Sequence, residues 1–183
     1  MKKAKKSKKP NVVLDIASRY FFLILISINS LWVFYFVFTP LTIYSVYFLL
    51  NLFFDASLIG SIVIVNDTLP IEFIKACIAG SAYYLLLILN LSTRGIDVRK
   101  RINMILISFA SLLVINIIRI FLLVLVFFYG LSFFDIAHKF FWYFVSTIFV
   151  VGIWFVEVKY FKIKKIPFYS DIKFLYKNTK LRK

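Results

Sequence analysis

The chain holds one cysteine, Cys77, one histidine, His138, and between them an arginine, Arg119, set inside a long apolar run. A thiol reacts as its thiolate, a guanidinium stabilises a thiolate or an oxyanion, and an imidazole carries protons. Together these are the parts of a cysteine-type acyl transfer. Each also has a plainer reading. A lone cysteine in an apolar helix is most often a small buried hydrophobe, and a lone histidine at an interface is most often just solvated. Arg119 is the strongest of the three, because an arginine within a membrane span costs at least about 2.5 kcal/mol to insert and is functional by default. The structural alternative is an arginine that snorkels to the interface.

Composition decides what must position these groups. Of 183 residues 62% are hydrophobic, yet the formal charge is +15. Few water-soluble domains tolerate that combination. A single cysteine excludes an internal disulfide, and the spacing of His, Cys, Asp and Glu forms neither a metal cluster nor a phosphate loop, so no cofactor is expected. The positive residues gather at the two ends and in one short loop and do not line a face, so nucleic acid is not the expected partner.

Four runs are long enough to cross a hydrocarbon core, which needs about 20 helical residues: 20–39, 76–93, 102–129 and 140–158. The basic start resembles that of a signal peptide, but the apolar run lacks a small-residue cleavage site and reads as a retained anchor. Lys and Arg collect in 1–19, in the loop 94–101 and in the tail 159–183, which together hold 20 of the 23. Such segments stay in the cytoplasm, so both termini are expected inside, with 55–74 and 130–139 outside. The expected fold is an all-α polytopic membrane protein with four transmembrane helices in a single integral membrane domain.

The stretch 41–54 is apolar but only fourteen residues long. If it crossed, Cys77 would face the cytoplasm and the basic loop would lie outside, so an interfacial or re-entrant helix on the outer side is the preferred reading. After it, "SIVIV" and "TLPIEFI" flank Asn66 and Asp67, a pattern for a small external β-hairpin whose second arm Pro70 confines to an edge.

Helical rise converts sequence distance into depth. Cys77 lies 17 residues from Arg94, and Arg119 lies 17 from Ile102, each about 25 Å along a helix axis. His138 is 21 residues from Lys159, about 31 Å. Against a core about 30 Å thick, all three reach the outer face. Ser108, Ser111, Ile115 and Arg119 share a helical face with Asn116 nearby, while Cys77, Gly80, Ser81 and Tyr84 form a small-residue strip that lets another helix approach. Asn116 and Ser81 are the candidate supporting residues.

These residues carry a likeness. "ACIAGSAYYLL", then "NIIRI", then "FDIAHKF", in that order and at that depth, resemble the exosortase and archaeosortase family of membrane transpeptidases, in a short archaeal branch. The likeness spans roughly residues 40–158. It implies a cysteine peptidase joined to a transfer step, with Cys77, Arg119 and His138 at the family's essential positions. It also implies a substrate: a surface protein whose C-terminal sorting signal combines a recognition motif, a transmembrane helix and a basic tail. Transfer would go through a thioester to a lipid or glycan acceptor, with water as a competitor. Many bacterial members read Cys-Ser-Gly and Asn-Gly-x-Arg, whereas this chain has Cys-Ile-Ala-Gly and Asn-Ile-Ile-Arg. Two rivals stand beside this reading: a non-enzymatic module in which Arg119 binds an anionic headgroup or an assembly partner, and an inactive member that binds sorting signals without cutting them.

Overall fold

The computed structural model describes residues 12–28, 31–130, 136, 139–140, 146–163 and 166–180. It is mostly helical. In chain order the elements are α1 (Val12–Ile28), α2 (Trp32–Asn51), β1 (Ala56–Ile59), β2 (Ile62–Val65), β3 (Leu69–Glu72), α3 (Lys75–Ile78), α4 (Gly80–Leu91), α5 (Val98–Phe128), α6 (Ser146–Tyr160) and α7 (Tyr169–Lys180).

Two of these, α2 and α5, are long and apolar enough to cross a membrane. Their apolar windows are only 33% and 28% buried, so most of their hydrophobic surface faces outward. Phe36 and Phe48 on α2 are 67% and 66% exposed, and Leu106 on α5 is 61% exposed. Apolar surface on that scale needs lipid or a partner to cover it.

Side-chain contacts give the direction of each rod. Arg19 bonds the carbonyl of Leu91, Tyr84 bonds that of Leu23, and Phe34 and Phe38 pack on Tyr83. Ascending α1 and α2 therefore means moving from the end of α4 back toward its start. On α5, Arg101 meets the end of α4, Phe109 meets Tyr83, and Asn116 meets Cys77. The α1–α2 rod and α5 are parallel, and α4 runs against both. Glu157 of α6 touches Asn90, so α6 also runs against α5.

The first rod corrects an expectation. A span ending at Thr39 followed by a separate interfacial or re-entrant helix over 41–54 is not what forms: α2 runs through Pro40 without stopping. Proline removes one helical hydrogen bond and crowds the carbonyl four residues back, a cost of about 3 kcal/mol. Packing on both sides of it holds the helix together. Before Pro40, Phe38 stacks on Tyr83 with ring centres 3.7 Å apart; after it, Thr42, Ile43 and Val46 are buried. The turn comes earlier instead, at Leu31, whose φ is +59°.

A second correction falls on the expected span 76–93, which is two helices. Ala79 takes φ +58° and separates α3 from α4. The expected span 102–129 agrees well with α5, which begins four residues sooner and so absorbs half of the basic loop. From the expected 140–158, the described helix is α6.

The expected hairpin is a three-stranded antiparallel meander in the order β1-β2-β3. Asn66 and Asp67 make the second turn with φ +51° and +55°, and Pro70 lies on edge strand β3 opposite Ile64, as its missing N–H requires. Strand β1 was not anticipated. It reverses at Gly60, whose φ of +62° suits a residue without Cβ.

Two apolar cores result. One, around Phe34, Phe38, Tyr83, Leu86 and Leu112, knits the rods together. The other joins Val46 and Leu50 of α2, Val63 and Val65 of the sheet, and Ile120 and Val124 of α5. The sheet is thereby pinned over the far ends of α2 and α5.

Candidate functional site

Cys77 sits on the one-turn helix α3, between the sheet and the break at Ala79. The break has a visible cause. In an unbroken helix the Cys77 carbonyl would accept from the N–H of residue 81; here Asn116 Nδ2 donates to it at 2.8 Å. Asn116 is only 3% exposed and stands on α5 one turn before Arg119. Beyond the break, Gly80 lets α2 come close: a Cβ there would lie 2.7 Å from the Tyr35 ring. The small-residue strip expected from the sequence thus serves the approach of α2.

Arg119 is buried, and its guanidinium interacts electrostatically with Cys77. The pair stands 42 positions apart in the chain, and the fold brings the two within electrostatic reach of each other. Arg119 also lines a cavity of about 380 Å³ together with Lys75, Tyr35, Ser81 and Thr147. Two cations and three hydroxyls around one concavity suit an anionic or strongly polarised group. Lys75 Nζ stands 5.6 Å from the centre of the Tyr35 ring, within cation–π range.

Cys77 itself is half-buried and leans on the apolar core beneath the sheet. Its neighbours Ala76 and Ala79 line the cavity. Cys77 does not itself line the cavity; it packs on an apolar bed and interacts electrostatically with a guanidinium that does. Ser81 opens directly on the cavity. His138, the third residue expected in this layer, lies outside the described residues.

Lys75, Tyr35 and Thr147 were not singled out from the sequence. Lys75 had a signal, since it is one of three cations outside the basic segments and stands two residues before the cysteine. Tyr35 and Thr147 had none, because their place depends on which faces of α2 and α6 turn inward. Among the described residues no cluster of His, Cys, Asp and Glu could hold a metal ion.

No family model, no curated protein and no solved structure matches this chain.

Proposed function

We propose that the protein is a multi-pass membrane cysteine transpeptidase of the exosortase and archaeosortase type, acting on C-terminal sorting signals of surface proteins. In this reading all four helical rods cross the plasma membrane, both termini are cytoplasmic and the Cys77 layer faces outward. The observation that carries it is the electrostatic interaction of Cys77 with Arg119, which lines a cationic, hydroxyl-bearing cavity, with Asn116 anchoring the cysteine's own carbonyl.

The chemistry uses this chain's side chains alone. The Cys77 thiolate Sγ bonds to the scissile carbonyl carbon, and the electron pair moves to oxygen, where Arg119 or Lys75 stabilises it. Collapse breaks the C–N bond, His138 gives its proton to the departing amine, and the substrate's helix and basic tail leave. A thioester on Sγ remains. An amine or hydroxyl of a lipid or glycan acceptor attacks it, loses its proton to His138 and expels the thiolate; attack by water would instead give a free acid.

A second reading draws on a specific observation, the contact of the thiol with the apolar core. There Lys75 and Arg119 bind an anionic headgroup or hold a sorting signal, and no bond is cut. One experiment separates the two. The chain is co-expressed with a surface protein that ends in a motif, a transmembrane helix and a basic tail, and loss of the tail is followed by mass. Cys77→Ala is expected to abolish processing while membrane insertion and melting behaviour stay intact. Undiminished cleavage by that variant discards the nucleophile, and with it the enzyme.

A further inference from the structure

Away from the outer cavity, α4, α5 and α6 enclose a polar cluster toward the opposite end of the bundle. Asn90 is wholly buried and Glu157 is 3% exposed. Asn90 Nδ2 donates to the Leu86 carbonyl at 3.1 Å, to Ser108 Oγ at 3.4 Å and to Glu157 Oε2 at 3.2 Å. The Leu86 carbonyl, which can only accept, fixes the amide's orientation. Asn90 Oδ1 and Glu157 Oε1 are then left, fully enclosed, without a hydrogen bond among the described residues, although Ser108 also lies within reach of the Glu157 carboxylate.

The nearby charges do not answer them. Arg101 reaches Asn90 from α5 but bonds the backbone carbonyls of Asn90, Leu91 and Thr93. Arg19 on α1 is directed to Leu91 and to Asp171 of α7, Lys100 bonds the carbonyl of Phe161, and Lys159 is exposed. Two buried acceptor oxygens and a carboxylate charge in an apolar bundle call for a positive centre between them, because an uncompensated charge there is far costlier than a bound one.

We propose that Glu157 and Asn90 form a buried seat for a monocation, with Ser108 as a neighbouring oxygen. A proton fits it directly. On Glu157 Oε1 it removes the buried charge and makes the carboxyl a donor for a neighbouring acceptor such as Asn90 Oδ1, beside the existing Nδ2–Oε2 bond. A sodium ion would use the same two oxygens as ligands. In either case the occupant ties α6 to α4, and α6 is the helix that brings Thr147 and Val150 to the outer cavity. The inference is independent of whether Cys77 is a nucleophile.

The test uses the purified full chain in detergent. Infrared spectra read the carbonyl stretch of a neutral carboxylic acid, and thermal unfolding is followed in sodium chloride and in choline chloride at equal ionic strength. A proton as occupant gives an acid stretch at neutral pH that vanishes in Glu157→Gln and shifts in Asn90→Ala, with a midpoint indifferent to sodium and rising as the pH falls. Sodium as occupant gives no acid stretch and a midpoint several degrees higher in sodium, a rise lost in Glu157→Gln. Wild-type protein with neither the acid stretch nor the sodium effect overturns the proposal, and that result needs no variant to fold.

Discussion

The two ends of the helical bundle treat their cations differently. At the end marked by Arg19 and Arg101, guanidinium groups are tied to the protein itself. Arg101 bonds three backbone carbonyls at 2.8 to 3.1 Å, and Arg19 bonds the Leu91 carbonyl at 2.6 Å while its fork meets Asp171. These carbonyls belong to the end of α4 and the turn after it, where a helix leaves its last acceptors without helical donors. At the other end, Lys75 and Arg119 border a cavity, and Arg119 interacts electrostatically with the lone cysteine. The lesson is that a buried arginine is not in itself a functional mark. What distinguishes Arg119 from Arg101 is the cavity beside it, whereas Arg101 acts as a cap and a staple.

That contrast is sharpest if Arg101 is removed. Arg101→Leu strips the guanidinium donor from the enclosed carbonyls of Asn90 and Thr93 and leaves Leu91 with Arg19 alone, and should destabilise the protein by about 3–5 kcal/mol, on the scale of breaking a buried charged network. Thermal unfolding of the purified chain checks it; a midpoint near that of wild type would return Arg101 to the class of dispensable surface charges. Arg119→Lys is the mirror experiment. It keeps the charge but loses the planar fork, so processing of a co-expressed substrate should drop at least about tenfold while the unfolding midpoint stays put. Full activity would leave Arg119 a purely electrostatic role.

Asn116→Ala should have a smaller effect, about 1–3 kcal/mol, because it strips one donor from the part-buried Cys77 carbonyl. Its loss of processing should exceed what the loss of folded protein explains, since the cysteine's turn is then held only by α3. Equal loss of both would assign Asn116 to stability alone. The smallest change is Gly80→Ala. Its Cβ would press on the far end of the Tyr35 ring, a movable group, so the cost should be about 1 kcal/mol. Pairing it with Tyr35→Ala should recover that cost; additivity of the two would mean that the close approach of α2 does not matter.

The nearness of Cys77 and Arg119 could be read in the chain because its logic is one-dimensional. Cys77 and Arg119 lie equally far from basic boundaries, and helical rise alone sets them at one depth. The turn at Asn66 and Asp67 and the edge position of Pro70 follow from local backbone chemistry. The break at Ala79 had no such signal. Alanine is the best helix former, and it takes a left-handed conformation here because Asn116, 37 positions later in the sequence, replaces the helical donor. Pro40 misled in the opposite direction, since its local preference to end a helix lost to the packing of Phe38 and Val46 on either side.

The end marked by Arg19 and Arg101 was hidden more completely. The basic tail reads as a charge run, yet α7 folds back so that Asp171 meets Arg19 across 152 positions and Phe174 lies 3.5 Å from the Arg94 guanidinium. Glu157 lies next to the last residue of an apolar run and looks like its solvated edge, until α4 places Asn90 against it. By itself the sequence determined that long apolar rods alternate with basic ends, that a thiol and a guanidinium share a level, and where one sheet turns. All of these follow from periodicity, charge and rise along a single axis. The fold alone decided where helices break, which cations are tied to backbone and which border a cavity, because those outcomes depend on donors and walls supplied by rods that are remote in the chain.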